Sequence, residues 1–227
     1  KANRELPDEA LAFQLNACRQ LCRVLGITEM ASTIYEADDL IGAVAKKTRN
    51  AKAQPVVITR DKDLTQIIEA DDLYWDFGKA PPKTQRQVEK DLQLGCQQMA
   101  DFLALTGDSS DNITGIPGVG AKTARQLLLH FPDIDAILEH LDQLQDLPIR
   151  GAAKLADKVT MHREQLLLAR QLTTIVSDID AAPELDQIAW QGVHAQAFEL
   201  FCDEMGFGNS FSQRAHSLRA RHNAASW

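Results

Sequence analysis

One stretch decides the fold: PVVITRDKDL, residues 55–64. Its first half is a short β-branched run, which is typical of a buried parallel strand. Helices are predicted before and after it, over residues 36–47 and 63–70, and LYWDF at 73–77 predicts a second strand. Alternating helices and buried strands indicate an α/β fold with a parallel sheet.

The rest of the chain reads as helices and turns. A helix is predicted over residues 8–25 and closed by Gly26. After the loop GKAPPK at 78–83, helical segments are predicted near 97–106, 121–130, 134–140 and 161–172. We therefore predict an α/β domain over residues 1–86, a helical subdomain over 87–211 and a basic tail over 212–227.

Composition sets the class of protein. With 227 residues, 44% of them hydrophobic, the chain can bury a large core without disulfides. Its four cysteines lack paired spacing, and neither a signal peptide nor a membrane-length apolar run is present, so a soluble, cytoplasmic protein is expected. The net charge of −8 argues against a coat of basic charge for nucleic acid, although acids gathered in a metal site would not exclude DNA.

The first acidic motif is EADD, with Glu36, Asp38 and Asp39 at the start of a predicted helix. Acids at a helix N-terminus can simply be capping residues. However, three acids in four positions repel one another, and Asp38 lies one turn before Ile41, near the predicted apolar stripe of Leu40, Ile41, Val44 and Ala45. A carboxylate near a core face needs a cation or a hydrogen-bond partner.

Two further acidic motifs follow. Asp61 and Asp63 come directly after the PVVIT strand, and the carboxyl ends of strands in α/β sheets are where ligands bind. Asp108 and Asp111, in GDSSDN, are spaced to share one side of a helical turn. Taken singly, these motifs could be a polar loop after a strand and a capped helix end.

Together the motifs supply seven carboxylates without histidine or cysteine at ligand spacing, which disfavours zinc. Oxygen ligands suit Mg²⁺ or Mn²⁺, and this number of acids fits two ions better than one. Two such ions can activate water and stabilise the leaving oxygen of a phosphodiester.

The fourth feature is GIPGVGAKTARQLL, residues 115–128, which matches a helix-hairpin-helix pattern. Glycines allow close backbone approach, and the free amides of the following helix start can receive a phosphate. The predicted DNA-backbone contacts are Gly115, Gly118, Gly120, Lys122, Thr123 and Arg125. An ordinary helix–helix turn is the simpler alternative.

In this order, the segments KANR, EADDLIG, VVITRDKDL, MADFLALTGDSSDN and GIPGVGAKTA resemble the 5′-nuclease superfamily. That superfamily includes the 5′→3′ exonuclease domain of bacterial DNA polymerase I, phage exonucleases and flap endonucleases. The resemblance extends from Lys1 to about Phe211. It implies a PIN-like core with a mostly parallel sheet flanked by helices, a helix-hairpin-helix (H3TH) subdomain, and a role in DNA replication and repair.

The resemblance also implies roles for single residues. Glu36, Asp38, Asp39 and Asp61 resemble ligands of a tighter metal site, and Asp63, Asp108 and Asp111 resemble ligands of a second one. Lys1 and Arg4 resemble basic residues at the base of a helical arch, with Lys1 contacting the scissile phosphate. Backbone carbonyls near Ile116 and Val119 would hold a K⁺ ion. The implied partner is DNA with a 5′ flap, overhang or single-strand/duplex junction, bound by a monomer and without a membrane.

This sequence departs from the family pattern at several points. Two aspartates that the family carries on strands before the arch would lie upstream of Lys1, so we expect part of the first metal site there. Thr114 stands where proline is usual, and Arg60 where a small residue is usual.

Three functions are therefore compared. The favoured one is a two-metal nuclease that cuts structured DNA near a 5′ end. A DNA-structure-binding relative without catalysis is the first alternative, although all seven acids remain. A phosphatase acting on small phosphates is the second, and a glycine hairpin for duplex DNA argues against it.

Overall fold

The computed structural model describes residues 8–211 together with residues 213, 214 and 217. Within that part of the chain, the helices are α1 (Glu9–Val24), α2 (Ala37–Asn50), α3 (Gln85–Leu92), α4 (Met99–Thr106), α5 (Ala121–His130), α6 (Ile134–Glu139), α7 (Leu155–Met161), α8 (Arg163–Thr173), α9 (Leu185–Ile188) and α10 (Ala195–Met205). The strands are β1 (Val56–Ile58), β2 (Leu73–Trp75) and β3 (Lys83–Thr84). No helix among these is long and apolar enough to cross a membrane.

The described chain divides into two compact units. The first contains residues 38–179, and the second joins residues 8–37 to residues 180–211. Each unit therefore has its own set of buried side chains. The sequence-based domain division after residue 86 stays a prediction.

The sheet of the first unit confirms the predicted α/β pattern. β1 and β2 pair in parallel, with Val57 opposite Tyr74, and α2 precedes β1 along the chain. The edge strand β3 pairs antiparallel with β2 and lies at the end of the predicted loop 78–83. Its two residues carry no strand signal in the sequence.

Three sequence predictions for this region need correction. β1 is buried only at Val57, whereas Val56 and Ile58 are exposed. In α2, Ile41 is also exposed, and Gly42 and Ala43 take its place in the buried stripe. The predicted helix over 63–70 is a short 3-10 helix, Asp63–Ile67. It is short because the chain must then reach the start of β2, where the Leu73 amide donates to Pro55 O just before β1.

A buried ion pair joins α2 to the segment between the 3-10 helix and β2. The guanidinium of Arg49 contacts Asp72 Oδ2 at 2.5 Å and Glu69 Oε1 at 2.9 Å, and Asp72 is fully buried. Asp72 Oδ2 also accepts from the Glu69 amide at 2.9 Å. A buried charge is tolerated only when it is paired and hydrogen-bonded, so these contacts fix where the helix ends relative to the sheet.

The larger core of the first unit is helical. Every residue from Met99 to Leu105 is buried, so α4 is its central helix, and it packs against α5 and α8. The predicted helices at 97–106, 121–130 and 134–140 are confirmed. The helix predicted over 161–172 is also confirmed, as α8; the helix before it, α7, was not predicted, and His162 separates the two. Both helices bury side chains in this core.

The second unit is built on α1 and α10. Val193, Phe198 and Cys202 form its buried cluster, against which Leu21 and Leu25 pack. The predicted helix ending at Gly26 is confirmed: Gly26 has φ +70°, and a Cβ there would lie 2.0 Å from Gly192 O. The four cysteines are free thiols, as expected: Cys18, Cys22, Cys96 and Cys202.

One acid lies inside the helical core. Asp101 of α4 is buried and accepts a hydrogen bond from the Ile134 amide at 3.4 Å. Burial raises the pKa of Asp101 to about 6, and the Ile134 amide and the Arg170 charge offset only part of that effect. The ionised form is therefore the unfavourable one in the folded protein.

We expect Asp101→Asn to stabilise the protein at high pH. The folded pKa lies above the value of ~4 for an unfolded chain, so Asp101 stabilises the fold below pH ~4, and this contribution is lost as pH rises through 6. The free energy of unfolding of the variant should exceed that of the native protein by about 1–2 kcal/mol at pH 8 and match it below pH 4. Urea unfolding across this pH range measures the difference.

The exposed Asp142 provides the control, because Asp142→Asn should change the free energy of unfolding little at any pH. A stability difference for Asp101→Asn that does not vary with pH would contradict the assignment.

Candidate functional site

The turn that follows β1, residues 59–63, is held by its own side chains. Thr59 Oγ1 accepts from the Asp61 amide at 3.0 Å, and Asp61 Oδ1 accepts from the Asp63 amide at 3.0 Å. The Tyr74 hydroxyl donates to Asp61 O at 3.3 Å, which ties the turn to β2. These contacts fix both carboxylates at the carboxyl end of the strand, as the sequence predicts.

The other two predicted acids lie on the loop between α4 and the hairpin, residues 107–114, here called the acidic loop. Its ends are joined by a pair of backbone hydrogen bonds between Asp108 and Ile113, at 2.9 and 2.7 Å. Asn112 takes the left-handed conformation that closes so tight a loop, with φ +58°. Asp111 lies at its tip.

The structure brings the β1 turn and the acidic loop together at Asp63. The pKa of Asp63 is raised to about 6, mainly by burial and also by the negative charges of Asp61, Asp108 and Asp111, against the opposing charge of Lys62. Asp63 Oδ1 is buried without a hydrogen-bond partner. A buried carboxylate oxygen near other acidic groups is the kind of ligand that a divalent cation satisfies, so Asp63 has the character of a metal ligand.

Asp108 has a different environment. Burial is the largest effect and raises its pKa, but hydrogen bonds from Ser110 and the charge of Lys62 together outweigh it, so the pKa of Asp108 lies below its ordinary value. The Ser110 amide donates to Asp108 Oδ1 at 2.8 Å, and Lys62 Nζ lies 3.3 Å from Asp108 Oδ2. Lys62 therefore offsets part of the negative charge of the site.

The first acidic motif lies at the start of α2 and has other contacts. Asp38 and Asp39 lie half-buried in the first turn of α2, and Asp39 Oδ1 accepts from the Val176 amide at 2.8 Å. Glu36 is exposed just before α2. In the described part of the chain, no three acidic, histidine or cysteine side chains lie close enough to hold a metal ion. Lys1 and Arg4, the predicted catalytic residues, lie outside the described residues.

The glycine hairpin, residues 115–120, packs against the start of the acidic loop. A Cβ on Gly115 would lie 2.2 Å from the Gly107 amide nitrogen and 2.3 Å from the carbonyl carbon of Thr106, so only glycine fits. Gln165 of α8 donates to the carbonyls of Thr114 and Gly115, at 2.9 and 3.0 Å. The buried side chains of Ile116 and Val119 anchor the hairpin in the helical core.

The far side of the hairpin leads into α5. Gly120 is its N-cap, Lys122 is exposed and Thr123 is half-buried. Arg125 has internal contacts: its Nε donates to Leu92 O at 2.8 Å, and its guanidinium lies 5.2 Å from the centre of the Phe102 ring. The sequence could not reveal these contacts.

Two family models match the chain in succession. Residues 1–93 match the 5'-3' exonuclease, N-terminal resolvase-like domain, and residues 94–196 match the 5'-3' exonuclease, C-terminal SAM fold. The chain belongs to the 5′-nuclease superfamily. The resemblance drawn from the sequence motifs is thereby confirmed.

Individual relatives in this superfamily are longer. DNA polymerase I of Bacillus caldotenax is 32% identical over 221 residues, which cover 96% of this chain and 24% of that protein. The 5'-3' exonuclease of Buchnera aphidicola subsp. Schizaphis graminum is 31% identical over 179 residues, or 79% of this chain and 62% of that protein. The chain thus spans about a quarter of such a polymerase and less than two thirds of that exonuclease.

Several solved structures share the fold of this chain. The T5 5'-exonuclease matches with a TM-score of 0.62 at 20% identity, covering 96% of this chain and 73% of that one. The catalytic core of Rad2 in complex with DNA substrate matches with a TM-score of 0.60 at 13% identity, covering 96% and 70%. The predicted α/β core with a helical subdomain is confirmed.

Two residues at the hairpin were missed by the sequence reasoning. Lys158 of α7 is exposed and reaches over the hairpin turn, since a Cβ on Gly118 would lie 2.8 Å from Lys158 Nζ. Gln165 holds the hairpin carbonyls from α8. Both lie more than 30 residues away in sequence without a motif, so only the fold could identify them.

We expect Gly115→Ala to destabilise the protein strongly, because the added Cβ would meet backbone atoms that cannot move independently. The expected loss is more than about 2 kcal/mol in the free energy of unfolding. Gly120→Ala is the matched control, because a Cβ at Gly120 meets no atom within 4 Å; weaker N-capping should limit its cost to under about 1 kcal/mol. Similar losses in the two variants, measured by urea unfolding, would refute the proposed close contact.

Proposed function

We propose that the chain is the divalent-metal-dependent catalytic part of a nuclease that hydrolyses phosphodiester bonds of DNA near a 5′ end. One observation carries the proposal. The acidic loop, whose aspartates raise the pKa of the nearby Asp63, continues directly into the glycine hairpin at Gly115, and Asp63 Oδ1 is buried without a hydrogen-bond partner. The proposed cation site would thus be joined directly to a hairpin suited to a phosphate backbone.

The chemistry follows from the ligand type. Asp63, Asp108 and Asp111 would hold one divalent ion, and Glu36, Asp38, Asp39 and Asp61 would hold the other. When bound, Mg²⁺ or Mn²⁺ would supply an activated water and stabilise the leaving oxygen. The carboxylates would orient the ions, while Lys1 and Arg4 would bind the phosphate on which negative charge develops.

The glycine hairpin would anchor the duplex. The amides at the start of α5 and the ammonium group of Lys122 would bind one phosphate, and Thr123 would add a hydroxyl donor. We also propose a K⁺ ion at the carbonyls of Ile116 and Val119. The Ile116 carbonyl already accepts from the Val119 amide at 3.0 Å, so the turn has a defined shape. Such contacts position the DNA without reading its sequence.

The named relatives support this proposal. DNA polymerase I and a 5'-3' exonuclease are similar in sequence. Among proteins of the same fold, the T5 5'-exonuclease has divalent metal ions (zinc) bound, and the catalytic core of Rad2 is in complex with DNA substrate. For this chain, we propose Mg²⁺ or Mn²⁺, since its acids provide oxygen ligands alone.

A DNA-structure-binding protein without catalysis is the second candidate. One observation favours it: within the described residues, no group of three possible ligands is close enough to hold an ion, and Lys62 pairs with Asp108. However, carboxylates without a bound cation repel one another and move apart, and the exposed Lys62 can release Asp108 when a cation binds. Loss of catalysis on removal of one aspartate would separate the two candidates.

We expect Asp61→Ala and Asp111→Ala to abolish cleavage of a 5′-flap DNA in Mg²⁺ while leaving binding of that DNA within about 2-fold of the native value, because the hairpin is untouched. A labelled flap and a gel assay measure the cleavage, and fluorescence anisotropy measures the binding. Asp142→Ala, at an exposed position, is the control and should cleave normally. If the native protein leaves the flap intact in both Mg²⁺ and Mn²⁺, the nuclease proposal is wrong.

We propose that Lys158, which lies over the hairpin, contacts a phosphate. Lys158→Ala should therefore lower the affinity for duplex DNA and make that affinity less dependent on salt. Losing one phosphate contact should reduce the slope of log K against log[salt] by ~0.9. Lys79→Ala removes an exposed lysine that is paired with Asp76 and should leave the slope unchanged. An identical slope for Lys158→Ala and the native protein would show that Lys158 does not contact DNA.

A further inference from the structure

One half-buried side chain connects the two acidic groups of the site. Gln66 lies in the 3-10 helix that begins at Asp63, and its Nε2 donates to Asp63 O at 3.1 Å and to Thr173 O at 3.0 Å. Its Oε1 accepts from the Ile175 amide at 2.9 Å. Both ends of the carboxamide are therefore used, and its orientation is fixed.

The segment that Gln66 contacts, residues 173–177, continues to α2. Val176 donates its amide to Asp39 Oδ1 at 2.8 Å, only one residue beyond Ile175. The segment also lies tightly against α2, because a Cβ on Gly42 would come within 2.5 Å of Ser177 Oγ. The path from the backbone of Asp63 to the carboxylate of Asp39 thus consists of hydrogen bonds and one short piece of chain.

The origin of this segment is itself fixed. Thr173, the last residue of α8, is buried, and its hydroxyl lies 2.9 Å from Ala100 O and 3.1 Å from Ala169 O. Segment 173–177 is consequently anchored on the helical core, and it has little freedom to follow a displaced Asp63 or Asp39. Its position can transmit a constraint from one acid to the other.

We propose that Gln66 is a positioning residue for the divalent-metal site: through segment 173–177, its carboxamide sets the separation of the Asp63 turn from the Asp39 helix. This inference rests on the proposed nuclease function. Two metal ions must lie within about 4 Å of each other to act on one phosphodiester, so their ligands need a fixed separation. Residues that orient ligands typically change metal affinity 10–100-fold when they are replaced.

The test is Gln66→Glu, with Gln66→Met as a second variant. Glutamate keeps the size but places a carboxylate against the carbonyls of Asp63 and Thr173, and methionine keeps the volume without the hydrogen bonds. We expect Mn²⁺ affinity, measured by calorimetry on the DNA-free protein, to fall at least about 10-fold in both. The kcat for flap cleavage should fall as well, and the Kd for the flap should stay within about 2-fold.

Gln98→Glu is the matched control. Gln98 also bridges backbone groups, since its Nε2 donates to Leu128 O at 2.7 Å and to Pro132 O at 3.0 Å, and its Oε1 accepts from the Gly95 amide. None of the residues that Gln98 contacts is a proposed metal ligand or a neighbour of one. This variant should lose stability but keep the native Mn²⁺ affinity.

The outcomes are distinct. Folded Gln66→Glu or Gln66→Met protein with native Mn²⁺ affinity would overturn the positioning role, whatever its loss of stability. An equal fall in Mn²⁺ affinity in Gln98→Glu would also overturn it, because the effect would then follow general destabilisation. If the native protein binds Mn²⁺ but does not cleave the flap, the proposed function fails, while the calorimetry still tests Gln66.

Discussion

The close approach of Gly107 and Gly115 is the contact on which both parts of the candidate site depend. Neither glycine can carry a side chain there, because each lies against the backbone of the other segment. The contact closes the acidic loop on one side and starts the glycine hairpin on the other. A shift of this contact would move Asp108 and the hairpin together, so their separation is set by backbone geometry, which is more precise than flexible side chains would allow.

The carboxylates of the acidic site repel one another. Asp63 is half-buried near three like charges, and burial together with these charges raises its pKa to about 6. Such an arrangement persists only when the surrounding structure holds it, because the carboxylates would otherwise separate. The exposed Lys62 reduces the repulsion through its contact with Asp108.

The sequence revealed the parts of the fold that depend on local chemistry. The strand at Val57, the stop at Gly26 and the helix start at Gly120 all follow from residue type and spacing. The separate helix α7 and its end at His162 could not be predicted, since no proline or glycine marks the boundary. Likewise, the acids were recognisable as motifs, but the contact of Arg125 with Phe102 and the position of Lys158 require the folded chain.

Two of the contacts that join neighbouring segments differ in charge: the one away from the acidic site is charged, and the one beside it is neutral. Away from the site, a charged pair, Arg49 with Asp72, fixes helix to sheet. Beside Asp63 the same task falls to the neutral carboxamide of Gln66, which offers two donors and one acceptor in one plane. A lysine there would compete with a divalent cation for the carboxylates, and a glutamate would add to their repulsion. A neutral side chain can hold the acids in place and leave their charge available to a metal ion.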